Sequence, residues 1–243
     1  MEHNYILDKN IWLTGASSGI GFEIAKALSK YRTNLILTSS NSEKLTNAIM
    51  HLKGEAKKYA FPMDISSDSQ VKDAFEFISN EVGFPDILIN NAGVFKPKPF
   101  KETKIEDFDE MLNVNLRGVF NATQSVLPAM LENDGGTIIN IVSITALQPF
   151  QNCSIYAASK AGMLAMMQGV REEVRKNNIK IINIIPGATA TEIWDKKILE
   201  YKKNLMSSPK DIADLVVSTL QLCSSNTSMI EDIILKPQQQ PFG

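Results

Sequence analysis

The sequence predicts a three-layer α/β/α fold on a doubly wound, mostly parallel sheet of seven strands. Three observations predict it. Short apolar runs alternate with longer amphipathic stretches along the chain. The runs NLILT, TIINIV and IKIINII are rich in β-branched residues and barely alternate in polarity, as strands buried on both faces do. A glycine-rich turn separates the first run from the first helical pattern.

The strands are expected at residues 11–14, 34–38, 58–62, 87–90, 137–142, 180–185 and 230–235. Helical stretch 21–31 places Phe22, Ile24, Ala25 and Leu28 on one face. Stretch 42–52 opens on Ser42 with Leu45 three residues on, and 68–82 repeats Val71, Ala74, Phe75 and Ile78 at helical spacing. Residues 105–131 read as one long helix that Pro128 kinks near its end. Residues 154–177 form a second long helix, and 209–223 enters on Ser-Pro. No repeat, low-complexity tract or linker interrupts this order, so residues 1–243 are expected to form one domain.

Composition excludes several classes. The formal net charge is -2, with 44% hydrophobic and 21% charged residues, which offers nothing to nucleic acid or an anionic membrane surface. Cys153 and Cys223 stand far apart, without a CxxC or a His pair, so no metal site is expected. Such cysteine usage fits a reducing compartment. No apolar run approaches the roughly 20 residues of a membrane helix, and the polar start lacks a signal-peptide core. The expectation is a cytoplasmic protein.

The turn Thr14-Gly15-Ala16-Ser17-Ser18-Gly19-Ile20-Gly21 has the chemistry of a phosphate cradle. Gly15 permits a tight turn, Gly19 a close backbone approach to a pyrophosphate, and Gly21 tight packing of helix on sheet. Gly15, Ser17, Ser18, Gly19, Ile20 and Gly21 are therefore candidate cofactor contacts, with the helix N-terminus facing the anion. The second strand closes on Leu37-Thr38-Ser39-Ser40-Asn41. An acid there would bind a ribose 2′-hydroxyl and favour NAD. Ser39, Ser40 and Asn41 instead offer hydrogen-bond donors, and the segment carries neither acid nor base. It predicts NADP(H) over NAD(H), although a polar cap on the next helix explains the same residues.

Tyr156 and Lys160 are four residues apart on a predicted helix, so they share a face. A phenol titrates near 10, too high for easy proton exchange at neutral pH. A neighbouring ammonium is expected to lower that value. Ser143 follows a strand at the carboxyl edge of the sheet, where its hydroxyl can hold a substrate oxygen beside Tyr156. It can also simply turn the chain.

These motifs stand in the order TGASSGIG, Asp64, Asn90-Asn91-Ala92-Gly93, Asn115, Ser143, Tyr156-Ala157-Ala158-Ser159-Lys160 and Pro186-Gly187. With them the chain resembles the short-chain dehydrogenase/reductase superfamily over about residues 10–191. The resemblance implies a Rossmann-type fold and hydride transfer between a nicotinamide cofactor and a carbonyl or alcohol carbon. Tyr156 is then the general acid/base and Ser143 the group that steadies the oxygen. It also implies that Lys160 holds the nicotinamide ribose, and that Asn115 makes a backbone kink that holds a relay water. Asp64 and Ile65 resemble an adenine-binding pair, and Asn91, Ala92 and Gly93 the segment on the adenosine side. Pro186, Gly187, Thr189 and Thr191 resemble the segment that holds the carboxamide.

Candidate substrate contacts are Ser143, Thr145, Cys153, Tyr156 and Trp194. Val94, Phe95, Ile144, Phe150 and Asn152 are further pocket candidates, each equally able to be core. Residues 191–205 are the expected lid. The helices 105–131 and 154–177 carry apolar residues beyond one stripe, and the resemblance implies a homodimer or homotetramer built on them. Within the family, alternatives are a 3-oxoacyl-[acyl-carrier-protein] reductase, which would need a basic surface such as Lys96, Lys98, Lys101 and Lys104 (residues better read as a solvated loop), or a pterin or hydroxy-acid reductase. Outside it stands a non-catalytic dinucleotide-binding regulatory protein. The polar tail 237–243 is expected to fray or to dock on a neighbouring subunit.

Overall fold

A computed structural model describes residues 4–225, 227–239 and 241. Its strands are β1 (Asn10–Thr14), β2 (Asn34–Ser39), β3 (Lys57–Pro62), β4 (Ile87–Asn90), β5 (Gly136–Ile141), β6 (Ile179–Pro186) and β7 (Asp232–Leu235). They form one seven-stranded sheet in the order β3-β2-β1-β4-β5-β6-β7. Every pairing in it is parallel. The order reverses between β1 and β4, which opens a crevice at the carboxyl ends of the strands.

The helices are α1 (Gly19–Leu28), α2 (Ser42–Met50), α3 (Asp68–Glu81), α4 (Ile105–Leu112), α5 (Gly118–Glu132), α6 (Ser154–Val174), α7 (Lys196–Lys202) and α8 (Pro209–Leu222). Side chains alternate across each strand, so β1 sends Ile11 and Leu13 into one core and Trp12 into the other. The first core is closed by α1, α2 and α8, through residues such as Ile24, Leu45 and Val216. The second is closed by α3, α5 and α6, through Ile78, Val126 and Met167. The outcome is a Rossmann-like α/β fold with helices on both faces.

Two local features differ from the expectation. The single helix over 105–131 is two helices joined by a π turn at Asn113–Arg117, centred on the fully buried Asn115. A π turn adds one residue to the helix without changing the apolar pattern enough to be read. Second, the expected lid contains α7, a short charged helix with no buried residue. Pro128 lies inside α5, near its end at Glu132.

A polar seam crosses half the sheet. Asn90, Asn140, Asn183 and Asp232 occupy matching positions on β4, β5, β6 and β7. Each amide nitrogen donates to the next oxygen: Asn90 to Asn140 at 2.9 Å, Asn140 to Asn183 at 2.9 Å, and Asn183 to Asp232 at 2.8 Å. Arg171 of α6 closes the row with Nη2 2.7 Å from the Asp232 carboxylate. Among the described residues, no helix is long and apolar enough to cross a membrane.

Candidate active site

The crevice holds one large cleft of about 1380 Å³. That exceeds the usual ~300–1,000 Å³ of a drug-sized pocket and suits an extended ligand with a second one beside it. All twenty residues expected to touch a cofactor, with Tyr156 beside Lys160 among them, line this cleft, and so do the five expected to touch substrate. Asn115 does not. It stands behind the wall, fully buried, and can act only through its neighbours.

The glycine turn is held from behind by the segment after β4. The Asn91 amide nitrogen donates to the carbonyls of Thr14 and Gly15, both at 3.0 Å. The Thr14 hydroxyl accepts from the backbone of Asn91 and Ala92. Gly15 has a φ of +66°, and a Cβ there would stand 2.7 Å from the Ala92 Cα. A Cβ at Gly21 would stand 2.1 Å from the Gly15 carbonyl oxygen. Neither position tolerates a side chain. Ser18 precedes α1 without capping it by its side chain, so the first N–H groups of that helix stay available to an anion. The cradle therefore fits a pyrophosphate.

At the end of β2 the hydroxyls of Ser17 and Ser39 are 2.8 Å apart. The Asn41 side chain caps α2 by accepting from the Lys44 backbone N–H at 2.8 Å. That use of its oxygen leaves its amide nitrogen as a donor. Lys44, one turn into α2, also lines the cleft, and its Nζ is 3.5 Å from Glu192 of the lid. Neither residue figured in the sequence reading. The available signal was a lysine three residues past the cap, where a helix side chain reaches back toward the strand end.

Ser143, Tyr156 and Lys160 converge on the floor. Ser143 follows β5 and accepts from the Thr145 backbone at 3.2 Å and its hydroxyl at 2.9 Å. The Tyr156 phenol is hydrogen-bonded to Ser143. Thus Ser143 turns the chain and also meets the phenol. Lys160 is 4% exposed, and its Nζ donates to the Ile141 carbonyl at 2.9 Å. Asn115 clamps the loop after β4: its amide accepts from Val94 N at 2.8 Å and donates to Val94 O at 2.9 Å. It also donates to the Ser159 hydroxyl at 3.0 Å, which ties the π turn to the helix that carries Tyr156 and Lys160.

The electrostatics correct one expectation. The Tyr156 phenol is not lowered; burial pushes it up to about 12, against a smaller opposing effect of the Ser143 hydrogen bond. Burial also brings Lys160 down to about 8. Desolvation disfavours the charged form of each group. The phenol is thus held as a proton donor.

Beyond Tyr156 the wall is aromatic. Phe95 meets the Tyr156 ring edge-on at 4.8 Å and Trp194 at 5.1 Å. Trp194 is oriented by an Nε1 hydrogen bond of 2.9 Å to the Thr189 carbonyl. Burial pushes the Cys153 thiol up, so it lines the pocket as an unreactive group. The segment expected to form a lid is pinned at its base, where Ala190 N donates to the Ser207 carbonyl at 2.9 Å and Ser207 N to the Ala188 carbonyl at 3.0 Å. Of the tail 237–243, residues 240, 242 and 243 lie outside the described residues. Pro237 lies against Gly187, and the Pro241 carbonyl accepts from Lys202 Nζ at 2.7 Å.

Two of the four lysines of the segment 96–104, Lys96 and Lys98, are paired with acids of α4. Lys98 is 2.6 Å from Asp107, and Lys96 is bonded to Glu110 and lies 3.5 Å from Asp107. These lysines hold the Asp107 carboxyl below its usual range, the Lys98 hydrogen bond first among them.

The parallel sheet, its switch point and the cleft above it define the molecule as a doubly wound α/β protein built to hold an extended ligand. The model of the short chain dehydrogenase family matches residues 9–202. An uncharacterized oxidoreductase of Staphylococcus aureus (strain MW2) is 33% identical over 215 residues, covering 88% of this chain and 92% of that one. Among solved structures, L-sorbose reductase from Gluconobacter frateurii, complexed with NADPH and L-sorbose, superposes with a TM-score of 0.87 at 26% identity, covering 98% of both chains. A 7α-hydroxysteroid dehydrogenase complexed with NADH and 7-oxo glycochenodeoxycholic acid superposes with a TM-score of 0.86 at 27% identity, covering 98% of this chain and 97% of that one. The chain belongs to the short-chain dehydrogenase family and is an oxidoreductase.

Proposed function

We propose that the protein is an NADP(H)-dependent carbonyl reductase that also runs the reverse alcohol oxidation, with Tyr156 as the general acid/base. One observation carries this reading: a buried phenol, held protonated and bonded to Ser143, faces the same cleft as the glycine cradle. A bound nicotinamide supplies the hydride. Ser143 and Tyr156 then hold the substrate oxygen, and Tyr156 hands it the proton that completes the alcohol. Lys160 serves the cofactor ribose and keeps a cation beneath the phenol. Asn115 positions both by fixing Ser159 and the Val94 backbone. The twenty cleft residues named above are the proposed cofactor contacts, and Thr145, Cys153 and Trp194 join the catalytic pair around the substrate. The aromatic wall favours a substrate with a substantial apolar body.

NADP(H) is preferred because the end of β2 lacks the acid that would read a free ribose hydroxyl and presents Ser39, Ser40 and Asn41 instead. The two relatives above were complexed with NADPH and NADH respectively, so the choice rests on these residues. Exposed Phe108 and Phe120, with the shallow apolar hollow between Leu116, Phe120 and Met166, support a homo-oligomer through α4, α5 and α6. A monomeric mass by light scattering at micromolar concentration would end that part of the proposal.

The decisive test is Tyr156→Phe. In an NADPH-oxidation screen against diketones, sugars, steroids and acyl thioesters, the variant loses turnover by about 10²–10⁴-fold. Its cofactor affinity stays near that of the unmodified protein. Surviving turnover would remove Tyr156 from its role.

A further inference from the structure

We infer that Lys44 selects for the cofactor's adenosine 2′-phosphate by exchanging partners, the phosphate displacing the Glu192 carboxylate that Lys44 holds in the free protein. The inference deepens the NADP(H) reading above and rests on it.

The end of β2 is where a fold of this kind reads the ribose 2′ position. Here that place is polar but uncharged. Ser17 and Ser39 bond to each other, and the Asn41 oxygen is committed to the α2 cap. Hydroxyls alone discriminate weakly between a hydroxyl and a phosphate dianion. The missing charge stands one turn further on. Lys44 lines the same end of the cleft as Ser39, Ser40 and Asn41. Its ammonium is not turned away to solvent chemistry elsewhere; it lies 3.5 Å from a Glu192 oxygen.

Glu192 is placed by the glycine turn itself. It follows Thr191, whose side chain would stand 3.3 Å from a Cβ built at Gly19. The loop after β6 thus rests on the cradle, and the Lys44–Glu192 pair runs from α2 to that loop across the mouth of the groove. The lysine and glutamate side chains are 58% and 75% exposed. A pair so exposed contributes little, so opening it costs little. A phosphate at the 2′ position offers the same ammonium a doubly charged, multidentate acceptor. A ribose hydroxyl offers nothing for which the pair would open. Glu192 therefore acts as a resident competitor, which lowers the affinity for a phosphate-bearing cofactor without touching the other.

The test is a set of calorimetric titrations with NADPH and NADH on the unmodified protein, Lys44→Met, Glu192→Gln and the double variant. Both residues are on the surface, so the variants keep the fold. Lys44→Met is expected to weaken NADPH by roughly tenfold or more, the loss of one charge-assisted contact to phosphate, and NADH by less than about twofold. Glu192→Gln tightens NADPH by roughly two- to threefold and leaves NADH unchanged. That gain vanishes when Lys44→Met is already present. If the unmodified protein prefers NADPH and Lys44→Met keeps the preference, the inference is wrong while the NADP(H) reading stands. If the unmodified protein binds NADH more tightly, that reading itself falls. If Glu192→Gln moves both cofactors equally, the residue acts through its loop and the exchange is refuted.

Discussion

Lys160 and Arg171 are two cations buried on α6, about three turns apart, and the helix treats them in opposite ways. Both are almost fully enclosed, at 4% and 3% exposure. Both donate to a strand carbonyl: Lys160 to Ile141 at 2.9 Å, and Arg171 Nε to Ile181 at 2.8 Å. There the likeness ends. Arg171 also bonds the Glu231 carbonyl and the Asp232 carboxylate, which in turn takes bonds from Asn183 and Gln168. Burial opposes the Asp232 charge, but these bonds outweigh it and hold the carboxyl below its usual range. Among the described residues no carboxylate pairs with Lys160, and burial brings it down to about 8. One cation stitches β7 to the sheet. The other is kept at a cost in stability, at the end of the helix that faces the cleft. Burial alone does not separate a structural charge from a chemical one; the presence of a counter-charge does.

The sharpest way to break this contrast is to neutralise each cation and read activity and stability together. Lys160→Met is expected to lower kcat/KM for carbonyl reduction by about 10²–10⁴-fold, equivalent to roughly 3–5 kcal/mol of transition-state stabilisation. Arg171→Met leaves turnover per folded molecule within about twofold. It costs about 3 kcal/mol of stability in urea unfolding, because Asp232 loses its partner. If the two variants exchanged these phenotypes, the assignment of roles would be wrong.

A smaller effect tests the cost at Lys160. Its folded pKa lies below its ordinary value, so between about pH 8 and 10.5 the unfolded chain binds the extra proton and stability rises with pH. At pH 7 Lys160→Met should therefore be more stable than the unmodified protein by about 1–2 kcal/mol. The advantage shrinks through that window as the unmodified protein gains stability with pH. Melting curves at pH 7 and pH 10 that show the same difference would contradict a buried, uncompensated ammonium. The smallest effect belongs to Asp232→Asn, expected to cost about 1 kcal/mol at pH 7. With a depressed folded pKa, the Asp232 contribution is present above the ordinary carboxylate value and lost as pH falls through the folded one. The variant and the unmodified protein should converge in acid.

The strand positions were legible in sequence because a sheet covered on both faces demands unbroken β-branched runs, as in β5 and β6. The glycine cradle and the Ser143, Tyr156, Lys160 set were legible because each needs a particular residue at a particular spacing. Other features had no such signature. The π turn around Asn115 adds one residue to an otherwise regular apolar stripe. The short helix α7 buries nothing, so it carries no periodic signal. The direction of the Tyr156 shift depends on how completely water is excluded, which no spacing records. The pairing of Lys96 and Lys98 was not legible because the acids that meet them lie a loop away, on α4. Lys44 was missed for the same reason: its partner is about 150 residues distant in the chain.

The asparagine row across β4, β5 and β6 bears on how the sheet assembles. A carboxylate only accepts, so Asp232 dictates that Asn183 present its nitrogen, and the same polarity is passed to Asn140 and then Asn90. These strands come from far-separated stretches of chain, flanked at each asparagine by isoleucine. A strand arriving one place out of step would rotate its amide to the opposite face and strand it in hydrocarbon, at a cost of several kcal/mol. The seam thus behaves as a checksum on alignment: it admits one mating of the strands and penalises the neighbouring ones.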